Sequence, residues 1–339
     1  MRDIWKRAIA PPGQEGWREA PGWLFSRRFL EPPPRPSGSP PGQEGQFGRR
    51  ELLRSALAGT LAMGFPLLLR AQTDKLTVID GGGTNVVAFT SEDGVILVDS
   101  GALKSGDKLR ATLGSNAKVQ VLFNTHYHLD QTANNEMFAA AGAKIIAHEH
   151  TRQWMSTDYW VPDEDRFEKA RPRAARPTET FRTAGSLKAG TEQIDFGHLP
   201  LAHTDGDIYI FFKTSNVLAV GDIASPLRDP SLDYFTGAWI GGRVDAMDTI
   251  FKLANDQTRI VPACGSVMTR AEFKAERDMM EEVRSRVWKQ TLKGDSPTDM
   301  LEGGVLKDLA RTWKDPYKFL NDAAKGMFAH HNKLDPSVI

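Results

Sequence analysis

The residues best suited to chemistry form one short stretch, residues 124–131, directly after the apolar run Val119–Phe123. Within it, His126 and His128 are two residues apart, and Asp130 follows two residues later. Imidazole nitrogens and carboxylate oxygens are the ligands that zinc and other divalent metals take from proteins. One histidine in a loop is usually an ordinary polar residue, but this spacing beside an acid predicts a metal site.

Three further candidate ligands lie far along the chain, at His203, Asp222 and Cys264. Each comes directly after a short apolar run with the composition of a β-strand. Side chains that follow strands can meet at one edge of a sheet even when the sequence separates them widely. The pattern therefore predicts that these residues join the histidine loop at a single site.

The elements that must position these residues alternate between strands and helices. The run before the histidine loop predicts a buried strand, residues 132–141 a helix that ends at Gly142, and residues 144–147 a second strand. Further strands are predicted for residues 76–80, 86–90 and 95–99, as an antiparallel meander, and for residues 193–196, 199–202, 208–212, 217–220 and 259–261. Helices are predicted for residues 106–113, 151–155 and 245–253, and for a long segment that begins after the capping box at Thr269 and ends near residue 293. Two strand-rich segments, each followed by helices, predict an α/β (α+β) fold of two similar halves with their sheets face to face.

The front of the chain differs from the rest. Residues 1–48 are rich in proline and glycine and repeat the hexapeptide PPGQEG, which predicts a disordered extension or a start codon assigned too far upstream. Residues 49–71 combine Arg49-Arg50 with an apolar segment and a small residue, Ala71, and resemble a twin-arginine export signal. The earlier pair Arg27-Arg28 has no apolar segment after it. We expect cleavage near Ala71, no membrane span afterwards, and a periplasmic or exported domain over residues 72–339 with a helical C-terminal region.

Composition excludes several classes of function. The 339 residues carry 43 basic and 43 acidic side chains, so no general charge favours nucleic-acid binding. A single cysteine excludes an internal disulfide framework. Residues 159–177 predict an irregular insertion whose aromatics, Tyr159 and Trp160, either pack onto the domain or form a wall over the site.

Five motifs in order resemble those of the metallo-β-lactamase superfamily: VDSG at residues 98–101, the histidine loop, HTDGD at residues 203–207, VGD at residues 220–222, and VPACG at residues 261–265. The resemblance covers roughly residues 75–290 and implies a four-layer αββα sandwich with one or two metal ions, usually zinc, at the edge between its sheets. It assigns His126, His128 and His203 to the first metal. It assigns Asp130 and Asp222 to the second, with Asp222 bridging and Asp99 supporting the loop.

Two positions depart from the family pattern, and both belong to the second metal site. Gln131 and Cys264 stand where the family usually has histidines. One interpretation is a rebuilt second site of Asp130, Asp222 and Cys264 with Gln131 in support, since a thiolate is a good zinc ligand. The other is a single-metal site in which Cys264 is a packed thiol. A cysteine at a position where a ligand is expected favours a ligand role for Cys264.

The resemblance implies a hydrolase of small-molecule substrates. A zinc-bound hydroxide, held by His126, His128 and His203, would attack a thioester, a lactone, a β-lactam, or a sulfate or phosphate ester, while Asp130 orients it. One alternative is a mono-iron enzyme that oxidises sulfur compounds through His126, His203 and Asp222. Another is a non-catalytic binding protein on a degenerate scaffold. The sequence selects neither the substrate nor the oligomeric state.

Overall fold

A computed structural model of the chain describes residues 75–114, 116–161 and 164–334. The extension predicted for residues 1–48 and the export signal predicted for residues 49–71 lie outside the described residues. In the described part, the strands are, in chain order, β1 (Leu76–Asp80), β2 (Asn85–Ser91), β3 (Gly94–Val98), β4 (Val119–Phe123), β5 (Lys144–His148), β6 (Tyr159–Val161), β7 (Arg166–Glu168), β8 (Glu179–Phe181), β9 (Ala184–Ala189), β10 (Glu192–His198), β11 (Ile208–Phe212), β12 (Val217–Gly221) and β13 (Arg259–Pro262).

The helices of the same residues lie between the strands and after the last of them. They are α1 (Gly106–Leu113), α2 (Leu129–Thr132), α3 (Asn135–Ala140), α4 (Glu149–Ser156), α5 (Ile240–Leu253), α6 (Arg270–Thr291), α7 (Pro297–Glu302) and α8 (Pro316–Asn332). The long helix α6 begins with the predicted capping box, in which Thr269 and Glu272 satisfy each other's backbone N–H groups. None of the described helices is both long and apolar enough to cross a membrane.

The strands form two main sheets and one hairpin. The first sheet has the order β1-β2-β3-β4-β5-β8 and the second β13-β12-β11-β10-β9, while β6 and β7 pair with each other. In the first sheet, β1 to β3 are antiparallel, as predicted, and β3, β4, β5 and β8 are parallel. In the second, β12 and β13 are parallel, so both sheets contain parallel strands whose carboxyl ends share an edge.

A buried apolar layer separates the two sheets. Because side chains alternate along a strand, Val87 and Phe89 face the second sheet while Val86 and Ala88 face the other way. The rings of Phe89 and Phe212 are 5.8 Å apart, centre to centre, across this layer. The inter-sheet layer therefore holds the two halves together.

Helices cover the outer face of each sheet. Leu109 of α1 and Phe138 of α3 pack with the outer residues of the first sheet. Helices α5, α6 and α8 bring Met247, Phe273 and Phe319 against the second sheet. The order helix, sheet, sheet, helix is the αββα sandwich expected from the sequence.

Three predictions of local structure were inaccurate. The helix predicted for residues 132–141 begins only at Asn135, as α3, after the separate short helix α2; Asn134 between them has a φ of −107°, and its side chain donates to the carbonyls of Ser100 and Ala102. The strand predicted for residues 199–202 is a turn, in which Leu201 has a φ of 54°. The insertion predicted to be irregular contains the hairpin of β6 and β7.

We expect Phe212→Ala to lower the free energy of unfolding by about 3–5 kcal/mol, since it removes a fully buried ring between the sheets. Phe167→Ala is the matched control, because Phe167 is 52% exposed and its loss should change stability by no more than about 0.5 kcal/mol. Urea unfolding followed by circular dichroism measures both. Equal stabilities for the two variants would contradict the assigned core.

Candidate metal centre

The carboxyl ends of parallel strands bring the separated candidates to one edge of the sandwich. Val98 of β3 pairs with Phe123 of β4, so Asp99 and the histidine loop leave the first sheet side by side. In the second sheet, Gly221 pairs with Pro262, so Asp222 and Cys264 leave β12 and β13 at the same level. Gly221 has a φ of 55°, and a Cβ there would lie 2.8 Å from the Thr125 side chain. The two sheet edges thus touch where the candidates gather.

Three histidines meet at this edge. One ligand atom from each of His126, His128 and His203 lies within 4.8 Å of the others. Their ring centres are 4.6 to 4.9 Å apart, with edge-to-face orientations. His126 and His203 are fully buried, whereas the His128 side chain is 28% exposed. The cluster therefore has a protein side and one more open side.

A buried chain of hydrogen bonds orients His126. The hydroxyl of Thr125 donates to Asp99 Oδ2 at 2.8 Å, and the Thr125 N–H donates to Asp99 Oδ1 at 2.8 Å. The Thr125 oxygen can then accept from His126 Nδ1, at 3.1 Å. This arrangement places the His126 hydrogen on Nδ1 and leaves the lone pair of Nε2 free.

The other two imidazoles are oriented in the same way. His128 Nε2 donates to Asp233 Oδ2 at 3.2 Å, and His203 Nδ1 donates to the carbonyl of Ser231 at 2.8 Å. Tyr127 also donates its hydroxyl hydrogen to Asp233 Oδ2. Hydrogen bonds of this kind fix the tautomer of metal-binding histidines. Asp233 and Ser231 lie in an irregular loop without a motif, so no sequence pattern identified them.

The inward nitrogens form a site that suits a cation. His128 Nδ1 and His203 Nε2 are 3.0 Å apart, close to the separation of about 3.4 Å between two nitrogens on a tetrahedral zinc. His126 Nε2 is buried and has no hydrogen-bond partner among the described residues. Burial, followed by the neighbouring imidazoles, lowers the pKa of both His126 and His203 to about 3, which keeps them neutral as metal ligands must be. The residues therefore fit a divalent metal ion.

Comparison with known proteins shows which family the chain belongs to. The family model of the metallo-beta-lactamase superfamily matches residues 79–264, which is more than half of the chain. The chain belongs to the metallo-beta-lactamase superfamily. A search of curated proteins finds no match.

Solved structures of the superfamily fold resemble the chain at low identity. A metallo-beta-lactamase from Pontibacter korlensis is 16% identical, with a TM-score of 0.51 over 62% of this chain and 96% of its own. A stereoselective inverting sec-alkylsulfatase from Pseudomonas sp. is 14% identical, with a TM-score of 0.54 over 76% of this chain and 49% of its own. This chain thus spans about half the length of the sulfatase. At these identities the likeness concerns the fold.

Asp222, which the resemblance assigns to a bridging position, is buried beside the histidines. Its Oδ2 lies 3.7 Å from His126 Nε2 and 3.9 Å from His203 Nε2. Burial raises the pKa of Asp222, but its electrostatic interactions with His203, Arg228 and His126 lower it below its ordinary value. Asp222 is therefore an anion next to the inward nitrogens of His126 and His203.

Arg228 is a residue of this edge that the sequence analysis missed. Its Nη1 donates to Asp130 Oδ2 at 2.9 Å, and its Nη2 lies 3.5 Å from Asp222 Oδ1. The structure thus brings Asp130 and Asp222, both expected at a second metal, to one guanidinium. The loop that carries Arg228 has neither strand alternation nor a ligand motif, so no pattern identified it.

The two departures from the superfamily pattern are both buried. Cys264 is a free thiol that is 4% exposed, and it follows Ala263, whose N–H donates to the Gly221 carbonyl at 2.9 Å. Gln131 is fully buried, and neither polar atom of its amide has a hydrogen-bond partner among the described residues. An unpaired buried amide costs free energy, which points to a polar occupant of this region.

A cavity of about 530 Å³ opens beside His128. Tyr127, Tyr234 and Phe235 line one part of it, and charged side chains that include Lys318 line another. Its size suits a small molecule. The cavity therefore provides space for a substrate at the more open side of the histidine cluster.

The two aromatic residues of the insertion, Tyr159 and Trp160, have different surroundings. Tyr159 packs edge-on against Trp154 and stacks near Phe235, which lines the cavity. Trp160 is 45% exposed and pairs across the hairpin with Phe167. Tyr159 thus packs onto aromatic residues of the domain beside the cavity, whereas Trp160 lies on the solvent side.

We expect Thr125→Val to weaken zinc binding by about 10- to 100-fold, because it removes the hydroxyl between Asp99 and His126 while it preserves volume. Thr112→Val, on the exposed surface of α1, is the control and should bind zinc as the wild type does. Competition with a chromogenic chelator measures both affinities. An affinity of Thr125→Val within twofold of the wild type would contradict the supporting role of Thr125.

Proposed function

We propose that the chain is a metal-dependent hydrolase of small molecules, with thioesters, lactones, sulfate esters and the cyclic amide of β-lactams as the candidate bonds. The convergence of the inward nitrogens of His126, His128 and His203, with His126 Nε2 buried and unpaired, carries the proposal. A zinc ion in such a site supplies a Lewis acid and lowers the pKa of water towards neutrality. The catalytic site comprises these three residues and Asp130.

The residues of the candidate site have separate roles in this proposal. The three imidazoles hold the metal, and the hydrogen bonds of Thr125 and Ser231 keep His126 and His203 in the required tautomers. Asp130 is one-third exposed, and its carboxylate would orient a nucleophile. The substrate would enter the cavity beside His128 with its reacting bond towards the histidines.

The superfamily match and the complete set of histidines favour a hydrolase over the two alternatives. A mono-iron site of His126, His203 and Asp222 would not require His128, yet His128 Nδ1 lies 3.0 Å from His203 Nε2. A degenerate binding protein would not be expected to keep the supporting hydrogen bonds of all three rings. Sulfate esters merit a place in the substrate panel, because the sulfatase shares the fold.

The proposal predicts turnover of at least one chromogenic substrate by zinc-loaded protein. The panel contains a carboxylic ester, a thioester, a lactone, a cephalosporin and a secondary alkyl sulfate, each followed spectrophotometrically. Loss of a partner that only supports a metal ligand costs about 10- to 100-fold. His126→Ala should lower kcat/KM by more than this, since it removes a ligand itself.

The matched control is His331→Ala, because His331 is exposed and packs near Trp288 in the outer helix layer. It should retain wild-type kcat/KM. Loading with Fe²⁺ and recording oxygen consumption in the presence of thiol substrates separates the mono-iron alternative. Zinc-loaded wild type that hydrolyses none of the panel would contradict the proposed function.

We also propose that the enzyme acts in the periplasm, after export through the signal at residues 49–71. Replacing Arg49 and Arg50 by lysine should leave uncleaved protein in the cytoplasm, because the twin-arginine pair is lost while the charge remains. The same change at Arg27 and Arg28 is the control and should not affect export. Cell fractionation and N-terminal sequencing measure the outcome, and equal export of both double variants would contradict the signal.

A further inference from the structure

The strongest unassigned feature of the described residues is the positively charged side chain of Arg228, which contacts two of the predicted ligands. The Arg228 guanidinium lies between two carboxylates, with Nη1 at 2.9 Å from Asp130 Oδ2 and Nη2 at 3.5 Å from Asp222 Oδ1. A guanidinium stays protonated at any physiological pH and matches carboxylates with its planar fork of donors. The two acids are therefore already paired with a positive charge.

The groups around Arg228 are those that the sequence assigned to a second metal. Burial lowers the pKa of Arg228, but Asp222, Asp130 and Cys264 raise it above its ordinary value by a larger amount. The same two carboxylates and the same sulfur would otherwise serve as ligands of a cation. Arg228 thus occupies the place between Asp130 and Asp222 that the resemblance assigned to a second metal ion.

The fold holds the Arg228 loop in place. Ser225 donates its hydroxyl hydrogen to Asp222 Oδ1 at 2.7 Å, and the Arg228 N–H donates to the Ser225 carbonyl at 3.2 Å. Arg311 donates to the carbonyls of Ser225 and Arg228, at 3.2 and 2.7 Å. Arg311 is itself paired with Glu276, and both side chains are less than 10% exposed. The backbone of Arg228 is therefore held in place by Arg311, whose ion pair with Glu276 is buried.

We propose that Arg228 takes the place of a second metal ion, and that the chain binds one metal ion, at its three histidines. The inference rests on the proposed function for the metal at the histidines. A second divalent ion between Asp130 and Asp222 would meet the fixed charge of Arg228 and would have to break both of its carboxylate contacts. Cys264 is then a packed thiol beside the guanidinium, which is the single-metal alternative of the sequence analysis.

The number of metal ions per chain tests the proposal. Full-length protein is equilibrated with excess Zn²⁺, desalted, and analysed for zinc per chain. The wild type should hold one zinc ion, and Arg228→Met should hold two, because it leaves Asp130 and Asp222 without a cation. Arg228→Lys, which keeps the charge, should hold one. Arg182→Met is the matched surface control and should also hold one, since Arg182 is 82% exposed and pairs only with Glu149 among the described carboxylates.

Cobalt provides a second measurement that does not depend on activity. A Co²⁺–thiolate bond produces a charge-transfer absorption in the near ultraviolet that cobalt bound to imidazoles lacks. Titration of the wild type should show no such band. Titration of Arg228→Met should show it with the second equivalent of Co²⁺, and adding Cys264→Ser should remove it.

Two zinc ions in the wild type would overturn the proposal, and so would a thiolate band in its cobalt spectrum. One zinc ion in an Arg228→Met variant with the wild-type circular dichroism spectrum would also overturn it. Both wild-type measurements remain decisive if the methionine variant fails to fold. A chain that binds no metal in any variant would overturn this inference and the proposed function together. The expected metal counts without hydrolysis of any substrate would overturn only the proposed function.

Discussion

The whole site depends on three imidazoles, those of His126, His128 and His203, whose inner nitrogens converge on one point. The protein must hold each ring in a fixed orientation to keep these nitrogens together. It does so from behind, since each outer nitrogen donates to a partner: Thr125 for His126, Asp233 for His128 and Ser231 for His203. These partners come from both sheets' edges, and the site therefore exists only when the sandwich is complete.

The sandwich explains why residues so far apart in sequence can act together. Parallel pairing of β3 with β4 and of β12 with β13 places two pairs of loops at one edge, and the buried layer between the sheets holds the two edges against each other. The tight contact between Gly221 and Thr125 joins them directly. Packing energy, spread over many apolar side chains, thus sets the distances on which metal binding depends.

The charged groups beside the three histidines balance one another. Asp130 and Asp222 bring two negative charges into a partly buried region, and buried charges require partners. Arg228 supplies one from within the chain, held in turn by Arg311 and Glu276. A site of this kind keeps a fixed positive charge beside the metal centre, where a protein with two metals would have an exchangeable one.

The sequence by itself determined the fold class, most of the strands, and the gathering of His126, His128 and His203. Alternating apolar residues and ligand residues at strand ends are patterns of neighbouring positions, so one sequence is enough to recognise them. Only the tertiary structure decided that Arg228 and Asp233 belong to the site, that residues 199–202 form a turn, and that α3 begins only at Asn135. These features depend on the paths of irregular loops and on hydrogen bonds between distant residues, which leave no periodic trace along the chain.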